Sequence, residues 1–142
     1  MTVATRKNRA DLDITDANIK GTKASSKTPA AIVKILYGIG VNPVAYEGAV
    51  FDGRYVYFVP SGTYQQFTAI SHSEVLRYDT TSNFESAESW STFDAGANGV
   101  GNDPVGYAGG IFDGRYIYFV PFKDSNGQYH GEVLRYDTTF QE

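Results

Sequence analysis

Few side chains in this sequence could do chemistry, and its two histidines come first. His72 and His130 each stand two residues before a glutamate, Glu74 and Glu132. Copies of such a histidine arranged in a ring would bind a metal or sense pH. No other ligand type at metal-ligand spacing accompanies either one, so the position reads as a loop residue copied along with its surroundings. Asp52 and Asp113 are carboxylates without a companion acid. Each precedes a glycine, and Asp-Gly is a turn signal before it is a catalytic one. Arg54, Arg77, Arg115 and Arg135 recur with Asp79 and Asp137, and are expected to form ion pairs or to bond turn carbonyls. Asp11, Asp13 and Asp16 begin like a calcium loop, but the glycine and the terminal glutamate of such a loop are missing. With no cysteine, the chain has no thiolate nucleophile, thiolate metal site or disulfide. It carries no Gly-rich phosphate loop and no nucleophile elbow. These residues lead us to expect no enzyme and no cofactor.

Recognition has better candidates than catalysis. The polar stretch 61–73 contains Tyr64, Gln65, Gln66 and Phe67, and the stretch 122–131 contains Tyr129. The two differ in sequence although their flanks do not, which fits either a recognition surface or simple drift. Trp90 is expected to pack between repeated units, though an exposed tryptophan would also suit sugar stacking.

The elements that would position these residues follow from composition. The chain has 142 residues, with 11 Tyr, 9 Phe and 15 Gly against one Met and one Trp. That balance favours strands and turns over helices. No stretch approaches the ~18 apolar residues that span a bilayer, and no apolar run follows the basic N-terminus as it would in a signal peptide. The net charge of −4 is unevenly distributed. Through Val44 seven basic residues face three acids, giving +4, and the remainder carries −8.

An internal repeat organises the acidic part. Residues 43–60 (PVAYEGAVFDGRYVYFVP) recur as 104–121 (PVGYAGGIFDGRYIYFVP), at an offset of 61. Residues 74–81 (EVLRYDTT) recur unchanged as 132–139, at an offset of 58. Each unit reads as strand, tight turn, strand, loop, strand, turn, strand. Tyr46–Phe51 is the first strand, and Asp52-Gly53 is expected to supply the two positive-φ positions of a type I′ turn. Arg54–Val59 returns with Tyr55, Tyr57 and Val59 on one face and Val56 and Phe58 on the other, so both faces should be covered. Residues 61–73 are a loop, Glu74–Asp79 the third strand, and Ser89–Phe93 the fourth.

Residues 48–57, followed by 74–79 and then Ser89-Trp90, resemble the kelch repeat of kelch and galactose-oxidase-type β-propellers. The resemblance covers about residues 43–139. Where the family has Gly-Gly after the second strand, this chain has Val59-Pro60 and Val120-Pro121. The resemblance implies an all-β fold of kelch-like β-propeller blades, about two four-stranded antiparallel units, the second lacking its last strand. Residues 43–103 are then the first blade and linker, and 104–142 the second, incomplete blade. The copper chemistry of galactose oxidase needs a cysteine-crosslinked tyrosine, which this chain cannot make.

Residues 1–42 form a basic N-terminal arm. Within it, residues 29–37 are bounded like a short helix, with Thr28 as N-cap, Pro29 at the first position and Gly38 as C-cap. Ile32, Ile35 and Leu36 would dock that helix on the blades or on a partner chain, and Arg6, Lys7 and Arg9 would meet an acidic surface. With almost no aromatics among these charges, nucleic acid is not the expected partner. Two blades do not close a ring, since propellers use about four to eight. A longer natural protein, a ring shared among chains, or a strand supplied by residues 11–15 would complete it; the first is slightly favoured. The expectation is a non-catalytic structural and interaction protein, anchored by its arm in a larger assembly such as a phage tail or other virion component. It is made in the cytoplasm without membrane insertion, and its partners are protein, either copies of itself or other subunits. The alternative is a carbohydrate- or peptide-binding propeller that takes surface glycans through the two loops.

Overall fold

The computed structural model describes residues 30–41, 43–65 and 68–140, with backbone alone for 63–65 and 68–70. Arg6, Lys7, Arg9 and residues 11–16 lie outside the described residues, as do Gln66 and Phe67. The chain divides at Ile35 into two units. The described part of the first, residues 30–35, has no regular element, and Ile32 and Ile35 are exposed. The helix expected over 29–37 is therefore not formed over its described length, which runs as coil to Leu36 and turns at Tyr37-Gly38. Two turns of helix cannot offset the cost of nucleation, and the β-branched Ile32, Val33 and Ile35 weaken them further.

The second unit is all-β. Its described residues form the strands β1 (Tyr46–Phe51), β2 (Tyr55–Pro60), β3 (Gly62–Gln65), β4 (Thr68–Ser71), β5 (Glu74–Asp79), β6 (Trp90–Asp94), β7 (Tyr107–Phe112), β8 (Tyr116–Pro121) and β9 (Leu134–Asp137). They form an antiparallel four-stranded sheet in the order β1-β2-β5-β6 and a three-stranded sheet in the order β7-β8-β9; β3 and β4 pair as a separate hairpin. That hairpin occupies most of the stretch expected to be loop. Thr63↔Ile70 and Tyr64↔Ala69 are among its register pairs, and the β-forming Thr63, Tyr64, Thr68 and Ile70 give the sequence reason for it.

The repeat produces the same geometry twice. Tyr46 pairs with Pro60 and Ala49 with Phe58, leaving one extra residue on β1; Tyr107↔Pro121 and Gly110↔Phe119 show the same bulge on β7. The hairpin turns differ from expectation. In each turn the glycine alone has positive φ, Gly53 at +105° and Gly114 at +107°. Asp52 instead keeps a negative φ and closes the turn with its carboxylate, whose Oδ1 accepts from the N–H groups of Arg54 and Tyr55 at 2.9 and 2.7 Å. Asp113 does the same for Arg115 and Tyr116. A short acceptor two residues before the donor makes this an Asx turn, which removes the need for a second left-handed residue.

The strict alternation of β2 sorts the core into two clusters. Val50, Tyr57, Val59 and Val75 from one face of the first sheet pack against Tyr107, Ile117, Phe119 and Leu134 from one face of the second. On the opposite face, Leu76, Ile39 and Trp90 are buried with Phe58, Tyr78, Phe84 and Leu36 around them. Trp90 thus packs on its own sheet rather than between the two sheets. Its indole lies 4.6 Å from the Tyr78 ring and 6.0 Å from that of Phe58, with its N–H donating to the Phe84 carbonyl at 2.9 Å. The rings around Trp90 come from the neighbouring β5 (Tyr78), from β2 beyond it (Phe58) and from the β5–β6 connection (Phe84), so the sheet and its own connection supply the pocket.

Candidate functional site

Each histidine is a structural clasp. The N–H of Glu74 donates to His72 Nδ1 at 3.3 Å, so the ring proton resides on Nε2, which donates to the Ala45 carbonyl at 3.3 Å. His130 repeats this with Glu132 at 3.2 Å and the Val105 carbonyl at 2.9 Å. Both ring nitrogens are therefore engaged by backbone. Among the described residues no group of three His, Asp or Glu side chains is placed to hold a metal ion.

The glutamates after the histidines have a role that sequence reasoning missed. Glu74 is buried, and its Oε2 accepts from the N–H of Val41 at 2.9 Å. Glu132 accepts from the N–H groups of Asn102 and Asp103 at 2.6 and 2.9 Å. In both units the carboxylate closes over a glycine in the left-handed region, Gly40 at φ +69° and Gly101 at +71°. A Cβ at either would lie within 3 Å of that carboxylate and would have to displace it, and the left-handed φ favours glycine as well. The signal was legible: residues 38–43 (GIGVNP) match 99–104 (GVGNDP), which extends the repeat upstream of Pro43.

The arginines and aspartates pair as expected of structural groups. Arg54 meets Asp79 through two bonds, at 3.1 and 2.7 Å, and Arg115 meets Asp137 at 3.2 and 2.8 Å. These guanidinium groups, helped by the Thr81 and Thr139 side chains, hold both carboxyls well below the usual carboxylate range. Arg77 stacks on the Tyr55 ring at 4.1 Å and Arg135 on the Tyr116 ring at 4.0 Å. The hydroxyls of Tyr57 and Tyr118 donate to Asp52 and Asp113, each at 3.0 Å.

Of the recognition candidates, Tyr64 and Gln65 lie on β3. Tyr129 is exposed; its ring packs edge-on against Phe122, 5.5 Å away, with Lys123 Nζ 5.1 Å from its centroid. Lys123 and Tyr129 form an isolated bridge, so 122–131 is a short hairpin-like excursion, as 61–73 is a longer one. Ser71 Oγ donates to the Asp124 carbonyl at 3.4 Å, which sets the bases of the two excursions side by side. Leu36 packs against the cluster of Ile39, Leu76 and Trp90, and Ile32 and Ile35 are exposed.

A larger surface lies on the second sheet, and sequence reasoning did not single it out. On the first sheet Val50, Val59 and Val75 are 7 %, 0 % and 9 % exposed, being covered by the second sheet. The residues at the same repeat positions of the second sheet, Ile111, Val120 and Val133, are 64 %, 51 % and 59 % exposed. The two sets are chemically the same face. One is a core and the other is an exposed apolar surface rimmed by Tyr118 and Arg135. Comparison with protein-family models, with curated proteins and with solved structures finds no match to this chain in any of the three.

Proposed function

We propose that this chain is a non-catalytic structural and interaction protein built from two kelch-like propeller blades, which extends its assembly by stacking a further blade on the exposed face of the second. The observation that carries the proposal is the pairing just described. Val50, Val59 and Val75 receive the second sheet, and Ile111, Val120 and Val133 present the same groups at the same spacing with nothing of the described chain upon them. A contiguous apolar face of this kind marks an interaction site. Because the face is a copy of one that receives a blade, a blade is the partner it fits. The residues 1–44, at +4 beside a body at −8, supply the charge complementarity for an anchor in a larger assembly. A virion component such as a phage tail protein is the setting we infer for it.

Sedimentation of the full chain over a concentration series tests this. Reversible self-association is expected, and Ile111→Lys combined with Val120→Lys is expected to weaken it at least tenfold while far-UV circular dichroism stays unchanged. A wild-type chain that stays monomeric to millimolar concentration sinks the proposal. A second reading, recognition of glycans, is favoured by the exposed Tyr129–Phe122–Lys123 cluster beside the β3–β4 hairpin. Under it, Tyr129→Ala abolishes glycan-array binding and leaves sedimentation as it was.

A further inference from the structure

In the first sheet β5 has a strand on each side, β2 and β6. In the second sheet its counterpart β9 pairs with β8, and among the described residues no strand pairs with its outer edge. Among the described residues no ladder bonds satisfy the backbone donors and acceptors of that edge, and such an edge is a template for an added strand. What β6 brings to the first sheet is Trp90, seated among Ile39, Phe58, Leu76 and Tyr78. Their counterparts by the repeat are Val100, Phe119, Leu134 and Tyr136.

These four residues line one cavity of about 370 Å³, beside the outer edge of β9. Its volume falls within the ~300–1,000 Å³ of small-molecule pockets, enough for an indole. Phe93 and Arg77 of the first sheet form its far wall. Edge and cavity are two independent observations that point to one ligand, and the chain itself shows what that ligand looks like. The octapeptide 74–81 is identical to 132–139, and in the first copy it holds the strand Trp90–Asp94 by ladder pairs from Tyr78↔Trp90 to Glu74↔Asp94. We propose that the outer edge of β9 and this cavity form an acceptor site for an extended polypeptide strand bearing a tryptophan. Main-chain ladder bonds supply affinity, and the indole in the cavity supplies specificity. The face that carries the stacking proposal is the other side of the same sheet, so either can fail without the other.

The full chain, labelled with ¹⁵N, is titrated with a synthetic peptide of sequence 88–95 (ESWSTFDA), and with the same peptide carrying Trp90→Ala. The tryptophan peptide is expected to shift the amide signals of Leu134–Asp137 and Val100, and the alanine peptide to bind at least tenfold more weakly. No shift at Leu134–Asp137 up to millimolar peptide overturns the proposal. So does equal binding of the two peptides, or a response confined to β5 and β6.

Discussion

Ala45 has φ +65°, the one non-glycine residue among those described with positive φ, and the repeat places Gly106 at the matching position with φ +68°. The left-handed conformation costs an L-residue about 1–2 kcal/mol, and glycine escapes it at an entropic cost of about 0.4–1 kcal/mol in the unfolded chain. The first term is the larger, so Ala45→Gly is expected to stabilise the fold by about 0.5–1 kcal/mol in denaturant titration. A loss of stability would show that the backbone at residue 45 is not held left-handed. Two copies of one motif make such positions readable, because a difference in residue type at a shared conformation marks strain. The same comparison makes Gly40 and Gly101 legible. Their role could not be read from glycine alone, since the carboxylates that close over them come from 34 and 31 residues further along the chain. The two histidines show the opposite case. Their repetition would suit a metal or pH site if they were ringed and otherwise reads as a copied loop residue, and the rings bond backbone on both sides.

The octapeptide shared by 74–81 and 132–139 folds differently in its two settings. It forms a six-residue strand beside β6 and a four-residue strand where, among the described residues, β6 has no counterpart. Strand existence was legible from alternation, and strand length was not, because the neighbouring ladder decides it. The helix expected over 29–37 shows the same limit from the other side. Caps were present in the sequence, but too few turns followed to make them count. Within the elements, the Arg54–Asp79 and Arg115–Asp137 pairs staple each hairpin turn to the end of the third strand. Both carboxyls are depressed below their ordinary value, so the stability they lend is present above that value and is lost as pH falls through the depressed one. Thermal stability is therefore expected to hold above about pH 5 and to fall below about pH 4, the unfolded carboxylate range. The double variant Arg54→Met, Arg115→Met removes the main cause of the depression. It should show a smaller loss between pH 5 and pH 3 than the wild type, and an equal loss would place the acid sensitivity elsewhere.

At the scale of the molecule, the sequence carries the repeat and the double-sided apolar strands, from which two covered sheets follow. It does not show which copy of a face is covered, because that depends on order in a stack and not on residue type. Val75 and Val133 sit in identical octapeptides, one 9 % and the other 59 % exposed. Lysine at Val75 would set a charge against the apolar cluster of Tyr57, Val59 and Phe119, on the wall of the cavity between the sheets that Asp137 also lines. Val75→Lys is expected to cost about 2 kcal/mol or more, whereas Val133→Lys should stay within about 0.5 kcal/mol. Both are measured by urea unfolding at a concentration low enough to keep the chain monomeric. At high concentration Val133→Lys should instead weaken self-association, since it sets a charge on the face that stacks. If it costs as much as Val75→Lys in the dilute chain, that face is already covered by the chain's own residues. The stacking surface would then be lost, while the tryptophan-strand site on the other side of the sheet would stand.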